Sequence, residues 1–337
     1  ADDRGSKYFW ELTARTLIYS ANRIPEISND IVNIDNAMKW GFAWEAGPFE
    51  GWDALGVRRT TKRMIAEGKK VPKWVLEMLE SGRETFYSVE NGQRTYWCPS
   101  GKHPVKIKQN PKEFNLLLHK TAGHTIKRDL SASVNDMGDG ILNVEFHSIL
   151  QPRLNPIDSS YVEMVNHALD LIDEGKYKAL VLGHQGPNFS AGANLNLFLD
   201  LTHNQQWEAL DFAVNTFQKM TQRIRFSKGP VIAAPFQLTL GGGTEIIQPA
   251  AHRVVAAETY MGFVEVGVGL IPGGGGTLRM ILNALDSGTG RMGAFQKIQK
   301  TFETIGFAKV ATSADEAKHL GLLKKDDTII LNRDHLL

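Results

Sequence analysis

Two glutamates in glycine-rich surroundings are the side chains of this sequence best suited to chemistry. Glu245 ends the run LGGGTE at 240–245, and Glu265 lies in an apolar stretch that leads to four glycines at 273–276. A carboxylate in apolar surroundings can act as a general acid or base, because desolvation and a neighbouring like charge raise its pKa. Glycine lets a ligand carbonyl approach the backbone N–H groups. Together with the turn of small residues at 188–194, these two segments indicate acyl-transfer or acyl-activating chemistry.

A second turn of small residues lies upstream, in the run NFSAGAN at 188–194. Its small residues let a further N–H face the same cleft, and a helix that begins near Thr244 would add its positive end beside a bound oxyanion. Each feature also has a plainer explanation. The glycines can form a flexible turn in which Glu245 caps a helix, and Glu265 can belong to a buried ion pair. The catalytic interpretation gains weight because all three segments fall at loops of one α/β region.

The elements that must position these residues begin near residue 140, where the sequence pattern changes. Residues 1–115 show apolar spacings typical of packed helices, with loops and short strands at 81–110, and turn residues cluster at 136–140. Beyond them short apolar strands alternate with amphipathic helices, which favours parallel β units with crossover helices. The sequence therefore predicts an α/β protein with a helical domain at 1–115, a linker at 116–140 and a second domain at 141–337. The elements expected in that second domain are strands at 141–148, 178–183, 230–235 and 253–257 and helices at 161–172 and 207–224.

Composition and spacing exclude several classes of protein. The 337 residues carry 38 Lys and Arg against 37 Asp and Glu, which leaves no basic surface predicted for nucleic acid or a membrane. No apolar run approaches the roughly 18 residues of a membrane span. The single cysteine, Cys98, excludes an intrachain disulfide and suits a reducing compartment, so we expect a cytoplasmic location.

Known cofactor and hydrolase motifs are absent from the sequence. There is no G-x-x-x-x-G-K-[ST] phosphate loop, and Pro272 stands where a dinucleotide motif would need its third glycine. The ten histidines form no H-E-x-x-H pattern, and no G-x-S-x-G elbow occurs. We therefore expect neither a metal nor a bound cofactor in this chain.

Several segments of the second domain resemble the crotonase, or enoyl-CoA hydratase/isomerase, superfamily. They are FSAGAN at 189–194, LGGGTE at 240–245, FVE at 263–265, GLIPGGGGT at 269–277 and, later, SADEA at 313–317. The resemblance covers about 141–324 and implies a crotonase-like ββα spiral domain. Asn194 departs from the family, which often has Asp there, and we expect this to affect CoA contacts or loop structure more than chemistry.

The resemblance implies a site for an acyl-CoA thioester. The N–H groups of Ala191 and Gly242 would form the oxyanion hole, and Glu245 and Glu265 would be the two catalytic carboxylates. Because the hydratase branch keeps both carboxylates, the resemblance favours hydration of 2-enoyl-CoA to 3-hydroxyacyl-CoA. Two alternatives stay open: a Δ3-Δ2-enoyl-CoA isomerase, and a non-catalytic acyl-CoA-binding or assembly domain.

The first domain resembles the helical C-terminal domain of 3-hydroxyacyl-CoA dehydrogenases. The residues concerned are NRI at 22–24, VNID at 32–35 and GPFE at 47–50, with Asp53 and Gly56. Such dehydrogenases carry their NAD fingerprint in a preceding domain, which this sequence lacks. We therefore interpret the chain as part of a bifunctional fatty-acid β-oxidation protein, with NAD expected only for the missing dehydrogenase domain. We also expect the second domain to be truncated at Leu337, and both a homo-oligomer and a β-oxidation complex stay open as assemblies.

Overall fold

The chain forms two compact units, one up to Asn110 and one from Pro111 onward. The structure is a computed structural model that describes residues 3–90, 92–286 and 293–337. Each unit has its own hydrophobic core. Within the described ranges, no helix combines the length and the apolar character that a membrane crossing requires.

The first unit consists of helices followed by a small antiparallel sheet. Its elements are α1 (Arg4–Asn22), α2 (Ile31–Phe42), α3 (Pro48–Leu55), α4 (Val57–Ala66), α5 (Lys73–Glu80), β1 (Tyr87–Glu90), β2 (Gln93–Cys98) and β3 (His103–Lys106). The strands pair in the order β1-β2-β3. Aromatic side chains fill the core, where Phe86 contacts both Phe49 and Trp52. The helices and short strands predicted here are present.

Two carboxylates, a buried one and a half-buried one, tie the helices of the first unit to its sheet. Asp35 on α2 accepts hydrogen bonds from the N–H groups of Phe49 and Glu50, at 2.8 and 3.1 Å, and from the Tyr87 hydroxyl at 2.8 Å. Asp53 on α3 accepts from the N–H groups of Phe86 and Tyr87 at 2.7 and 2.9 Å. Burial raises the pKa of each carboxyl to about 6. Both carboxylates therefore serve as acceptors that join elements.

The second unit is built on two sheets with helices around them. Its elements are α6 (Leu116–Thr121), β4 (Thr125–Arg128), β5 (Ala132–Asp136), β6 (Ile141–Phe146), α7 (Ser159–Asp173), β7 (Ala179–Leu182), α8 (Leu195–His203), α9 (Trp207–Arg225), β8 (Val231–Ala233), β9 (Gln237–Leu240), α10 (Gly242–Ile247), β10 (His252–Ala256), β11 (Thr259–Gly262), α11 (Gly276–Asp286), α12 (Ala294–Gly306), β12 (Val310–Ala311), α13 (Ala314–Leu320) and β13 (Thr328–Ile330). Among the described residues the larger sheet has the order β13-β10-β8-β7-β6-β5-β4, and the smaller one has the order β12-β11-β9.

The larger sheet combines parallel and antiparallel pairing. Its strands are parallel from β6 to β13 and antiparallel from β4 to β6. Helix α7 connects the parallel strands β6 and β7 and begins at Ser159, directly after Asp158, which caps it by accepting the Tyr161 N–H at 3.1 Å. The apolar face predicted for this helix, from Tyr161 to Ile172, is buried in the core. The α/β class and the strands and helices predicted beyond residue 140 are confirmed.

Residues 116–140 differ from the linker expected there. They form α6, β4 and β5, and β5 pairs antiparallel with β6 inside the larger sheet. The strand β5 could not be predicted from the sequence pattern, because the buried positions of this strand include polar residues. The Ser133 hydroxyl donates to Glu145 at 2.8 Å, and the Asn135 amide donates to Asn143 at 3.2 Å. These polar pairs across neighbouring strands replace the apolar alternation by which a strand is usually predicted.

Candidate active site

The turn at 188–194 is held against the smaller sheet by backbone hydrogen bonds. The Ser190 N–H donates to the Leu238 carbonyl at 2.9 Å, and the Leu240 N–H donates to the Ser190 carbonyl at 2.8 Å. Ser190 thus pairs along β9 as a short additional strand residue, and its side chain is fully buried. This pairing fixes the turn relative to the glycine run that follows β9.

The N–H of Ala191, predicted to line the oxyanion hole, is already occupied. It donates to the Leu154 carbonyl at 2.7 Å, and the Gly192 N–H donates to the Ser190 hydroxyl oxygen at 3.0 Å. The N–H of Ala193 has no acceptor among the residues that the structure describes. The structure therefore corrects the prediction: the donor that this turn offers is Ala193, two residues further along the chain.

The glycine run after β9 brings a second free N–H to the same place. Gly241 adopts φ 53° and ψ −124°, a conformation that side chains disfavour, and turns the chain into α10. The N–H of Gly242, the other donor that the resemblance implies, has no acceptor within the described ranges. The two turns touch, because a Cβ added at Gly192 would lie 2.9 Å from the Gly242 nitrogen, and one at Gly242 would lie 3.5 Å from the Ala193 nitrogen.

Glu245 is buried on α10, and one of its two carboxylate oxygens accepts the hydrogen bonds that the side chain makes. Its Oε1 accepts the N–H groups of Gly274 and Gly276 at 2.7 and 2.9 Å. The absence of side chains permits this approach, since a Cβ at Gly274 would lie 2.8 Å from the Glu245 Oε2. Burial raises the pKa of Glu245 to about 7; the charge of Glu265 adds to the shift and the two N–H groups oppose it.

Glu265 is the less satisfied of the two acids. It follows β11 at the start of a short 3-10 turn, Glu265–Val268, and neither of its buried carboxylate oxygens has a hydrogen-bond partner in the described part of the chain. A Cβ added at Gly241 would lie 3.2 Å from the Glu265 Oε1, so the carboxylate of Glu265 faces the glycine run that follows β9. Burial raises its pKa, although the nearby N–H groups of Glu265 and Val264 oppose the shift. The alternative of a buried ion pair finds no cation here, since no ion pair of the described residues involves Glu265.

These residues form a site with two proton carriers and two backbone donors. The field of Glu265 acts on the pKa of Glu245, as expected for two acids of one site. Ala193 and Gly242 present unpaired N–H groups beside them, which can stabilise negative charge on an oxygen atom. Asn194 has a local role: its side chain caps α8 by accepting the Asn196 N–H at 3.2 Å. The arrangement can activate a carbonyl and transfer protons next to it.

A separate cavity of the second unit does not belong to this site. It has a volume of about 730 Å³ and is lined by residues of α11, α12 and α13, among them Lys300 and Lys318. Neither Glu245 nor Glu265 lines it. The Lys300 ammonium already donates to the His319 carbonyl at 2.9 Å. The chemistry suggested by the glutamates therefore does not extend to this cavity.

Comparison with known proteins identifies related sequences and folds. The family described as "Enoyl-CoA hydratase/isomerase" matches residues 150–326. A Bacillus subtilis (strain 168) protein named "Probable 3-hydroxyacyl-CoA dehydrogenase" is 44% identical over 337 residues, which are 100% of this chain and 41% of that protein. The "Fatty acid oxidation complex subunit alpha" of Aliivibrio fischeri is 33% identical over 133 residues, 38% of this chain and 19% of that protein. The chain thus spans less than half the length of these relatives.

A solved structure shares the fold of the second unit. It is described as "Enoyl-CoA hydrates from Geobacillus Kaustophilus HTA426" and is 20% identical, with a TM-score of 0.50. The likeness covers 62% of this chain and 71% of that one. At this identity it shows a common architecture and carries no argument about activity.

Proposed function

The chain belongs to the enoyl-CoA hydratase/isomerase family, and from this premise we propose that its second unit hydrates 2-enoyl-CoA to 3-hydroxyacyl-CoA. The crotonase-like fold predicted from the sequence is confirmed by the family match and by the shared architecture. The observation that carries the proposal is the meeting of Glu245 and Glu265 beside the free N–H groups of Ala193 and Gly242. Two acids and two donors are the parts that hydration of a conjugated thioester needs.

The two N–H groups activate the substrate. The thioester oxygen would accept from Ala193 and Gly242, so that the negative charge which develops on it is stabilised as water attacks C3. Each aimed donor is worth about 3 kcal/mol in such a transition state, because it needs no reorganisation when charge appears.

The bonding of the two acids supports a division of proton transfers. Glu245 accepts two N–H bonds on Oε1, which favours its ionised form and leaves Oε2 to take a proton from water. Neither carboxylate oxygen of Glu265 has a hydrogen-bond partner among the described residues, and burial raises its pKa, so it can hold a proton and give it to C2. The hydroxyl adds to C3 and the hydrogen to C2, and the proton gained by Glu245 balances the one lost by Glu265.

The names of the relatives support a wider role. One is named a 3-hydroxyacyl-CoA dehydrogenase and another a fatty acid oxidation complex subunit, and the product proposed here is the substrate class of such a dehydrogenase. We therefore place the chain in a multifunctional protein of fatty-acid β-oxidation, with the first unit as its dehydrogenase C-terminal-type domain and with NAD bound elsewhere. The assembly and the cytoplasmic location stay predictions.

An assay of the hydration of a short 2-enoyl-CoA tests the proposal. The reaction is monitored by the loss of the absorbance of the conjugated thioester. Glu245→Gln and Glu265→Gln should each lower kcat by about 10²- to 10⁴-fold, because each removes a proton transfer. Glu208→Gln, an exposed glutamate on α9, is the matched control and should leave the rate unchanged. Full turnover in both site variants would contradict the proposal. Turnover of a 3-enoyl-CoA with a single essential glutamate would favour an isomerase. Tight binding of an acyl-CoA without any turnover would favour a non-catalytic domain.

A further inference from the structure

The glycine run that holds Glu245 has a second face, which is bonded to α9. The Gly273 carbonyl accepts from the Gln218 amide nitrogen at 2.6 Å, and the Gly274 carbonyl accepts from the Thr221 hydroxyl at 2.8 Å. Gln218 and Thr221 are three residues apart on the helix and therefore lie on one face of it. The run thus offers its N–H groups to Glu245 and its carbonyls to α9.

One peptide unit connects the helix directly to the carboxylate. The Gly273 carbonyl and the Gly274 N–H belong to the same planar peptide bond, so their orientations are coupled. Gln218 donates to that carbonyl, and the N–H donates to the Glu245 Oε1 at 2.7 Å. Hydrogen bonds in such a chain polarise one another, and the bond from Gln218 strengthens the one to Glu245.

Four consecutive glycines cannot fix this geometry by themselves. Glycine populates more backbone conformations than any other residue, and Gly275 has φ 116°, outside the range of ordinary side chains. The alignment of the run must therefore come from its neighbours. Phe217 and Phe263 pack where side chains of Gly274 and Gly276 would be, but rings supply no directional bond. The Gly275 carbonyl accepts the Arg279 N–H of α11 at 3.0 Å, whereas the directional bonds to the carbonyls of Gly273 and Gly274 come from α9.

We propose that Gln218 and Thr221 are positioning residues, which hold the carbonyls of the glycine run so that the N–H groups of Gly274 and Gly276 stay on Glu245. Thr221 is buried, and its hydroxyl hydrogen is shared between the Gly274 carbonyl and the Gln218 carbonyl at 2.9 Å. The consequence for catalysis rests on the proposed function, since it takes Glu245 to be the base. The alignment itself can be measured without substrate.

The charged surroundings of Glu245 are simple enough for this measurement. Glu265 is the charged side chain of the described residues whose field shifts the pKa of Glu245. Helix α10 and the glycine run carry no other ionisable group. On α11, Arg279 donates to the Gln222 side chain at 3.0 Å and has Arg225 as its charged neighbour. A change at Gln218 or Thr221 that alters no charge therefore reports on hydrogen bonding.

The experiment compares Thr221→Val and Gln218→Met, which keep the shape and remove the donor. The pKa of Glu245 is followed by carbon-13 NMR of labelled glutamate carboxyl groups, and its signal is identified by its loss in Glu245→Gln. Misaligned N–H groups stabilise the ionised form less, so each variant should shift this pKa upward by about 0.5–1 unit. The limb of the hydration pH profile that reports Glu245 should move in the same direction, with kcat lowered more than KM is changed.

Two controls separate positioning from packing. Thr221→Ser keeps the hydroxyl and should restore the normal pKa. Thr304→Val makes the same substitution at a buried helical threonine, whose hydroxyl donates to the Lys300 carbonyl of its own helix at 2.9 Å. This variant should leave the pKa of Glu245 unchanged.

The outcomes distinguish this inference from the proposed function. An unchanged pKa of Glu245 in both donor-deleted variants would overturn the inference, whatever the activity. So would a Thr221→Ser protein that shifts as much as Thr221→Val does. An upward shift in a protein that never hydrates enoyl-CoA would support the positioning role and count against the proposed function alone.

Discussion

The two units both bury carboxylates, but they satisfy them differently. In the first unit Asp35 accepts three hydrogen bonds and Asp53 accepts two. In the second unit Glu245 uses one oxygen, and Glu265 uses neither within the described residues. Burial raises the pKa of all four, so the direction of a pKa shift does not separate a structural acid from a catalytic one. Filled acceptors indicate a role in folding, and vacant ones indicate a role toward substrate.

The sharpest way to break this comparison is to measure rate and stability together at Glu265. Glu265→Gln should lower the hydration rate by about 10²- to 10⁴-fold, equivalent to about 3–5 kcal/mol. The free energy of unfolding of the second unit should stay the same or rise, because an unpartnered buried acid is removed. Steady-state kinetics and urea unfolding of the same protein check both quantities. A large loss of stability with normal turnover would place Glu265 with the structural acids.

Asp35 should show the opposite behaviour. Asp35→Ala leaves three donors, one of them fully buried, without their acceptor and should lower the free energy of unfolding of the first unit by about 2–4 kcal/mol. Tryptophan fluorescence during urea unfolding is a suitable probe, since every tryptophan except Trp207 lies before residue 111. A folded Asp35→Ala protein that has lost hydration would show that filled acceptors do not exclude a catalytic role.

The pH dependence of stability should differ between the units. Glu245 has a pKa of about 7 in the folded chain against 4.5 ordinarily, so its contribution is fully present below pH 4.5 and is lost as the pH rises through 7. The second unit should lose about 1–3 kcal/mol in this window, and Glu245→Gln should remove most of the loss. In the first unit the corresponding window runs from 3.8 to about 6. Urea unfolding at several pH values measures the free energy of unfolding of each unit. If both units lost stability over the same pH range, the loss in the second unit could not be assigned to Glu245.

The smallest effect is expected at an exposed acid. Glu84 pairs with Arg58 at 2.6 Å, and the Glu84 side chain is 63% exposed. Glu84→Gln should change the free energy of unfolding by less than about 1 kcal/mol, because water screens the pair. Urea unfolding beside Asp35→Ala checks this, and a comparable loss in both variants would show that burial is not what distinguishes Asp35.

The sequence singled out the two acids of the candidate site but not both of its free N–H groups. Glu245 and Glu265 stand out because a carboxylate in an apolar, glycine-rich stretch is unusual. Ala193 does not stand out from Ala191, since neighbouring small residues offer equivalent N–H groups. Which of them is free depends on Leu154, far upstream, and on the Ser190 hydroxyl, and only the folded chain brings these together. Tertiary partners decide such details, and no local pattern encodes them.

The fold was predictable where one face of an element is apolar. Helix α7 shows its buried face as an apolar stripe, and its cap at Asp158 marks its start. The strand β5 gives no such signal, because Ser133 and Asn135 are buried through hydrogen bonds to other strands. Buried polar pairs of this kind are visible only once the partner strand is known. The second unit begins at Pro111, well before the predicted residue 141, and the same omission explains the difference, since α6, β4 and β5 belong to this unit.

The pairing of Ser190 with β9 has a consequence for inhibitors. Leu238 and Leu240 make backbone hydrogen bonds to Ser190 on either side, and only Gly241 separates β9 from Gly242. The N–H groups of Ala193 and Gly242 therefore belong to one hydrogen-bonded segment of backbone. Their separation is set when the chain folds, before the proposed thioester substrate binds. If the proposed function holds, a compound that mimics the enolate of that substrate would bind a preorganised site, so little of its affinity would be spent on ordering the protein.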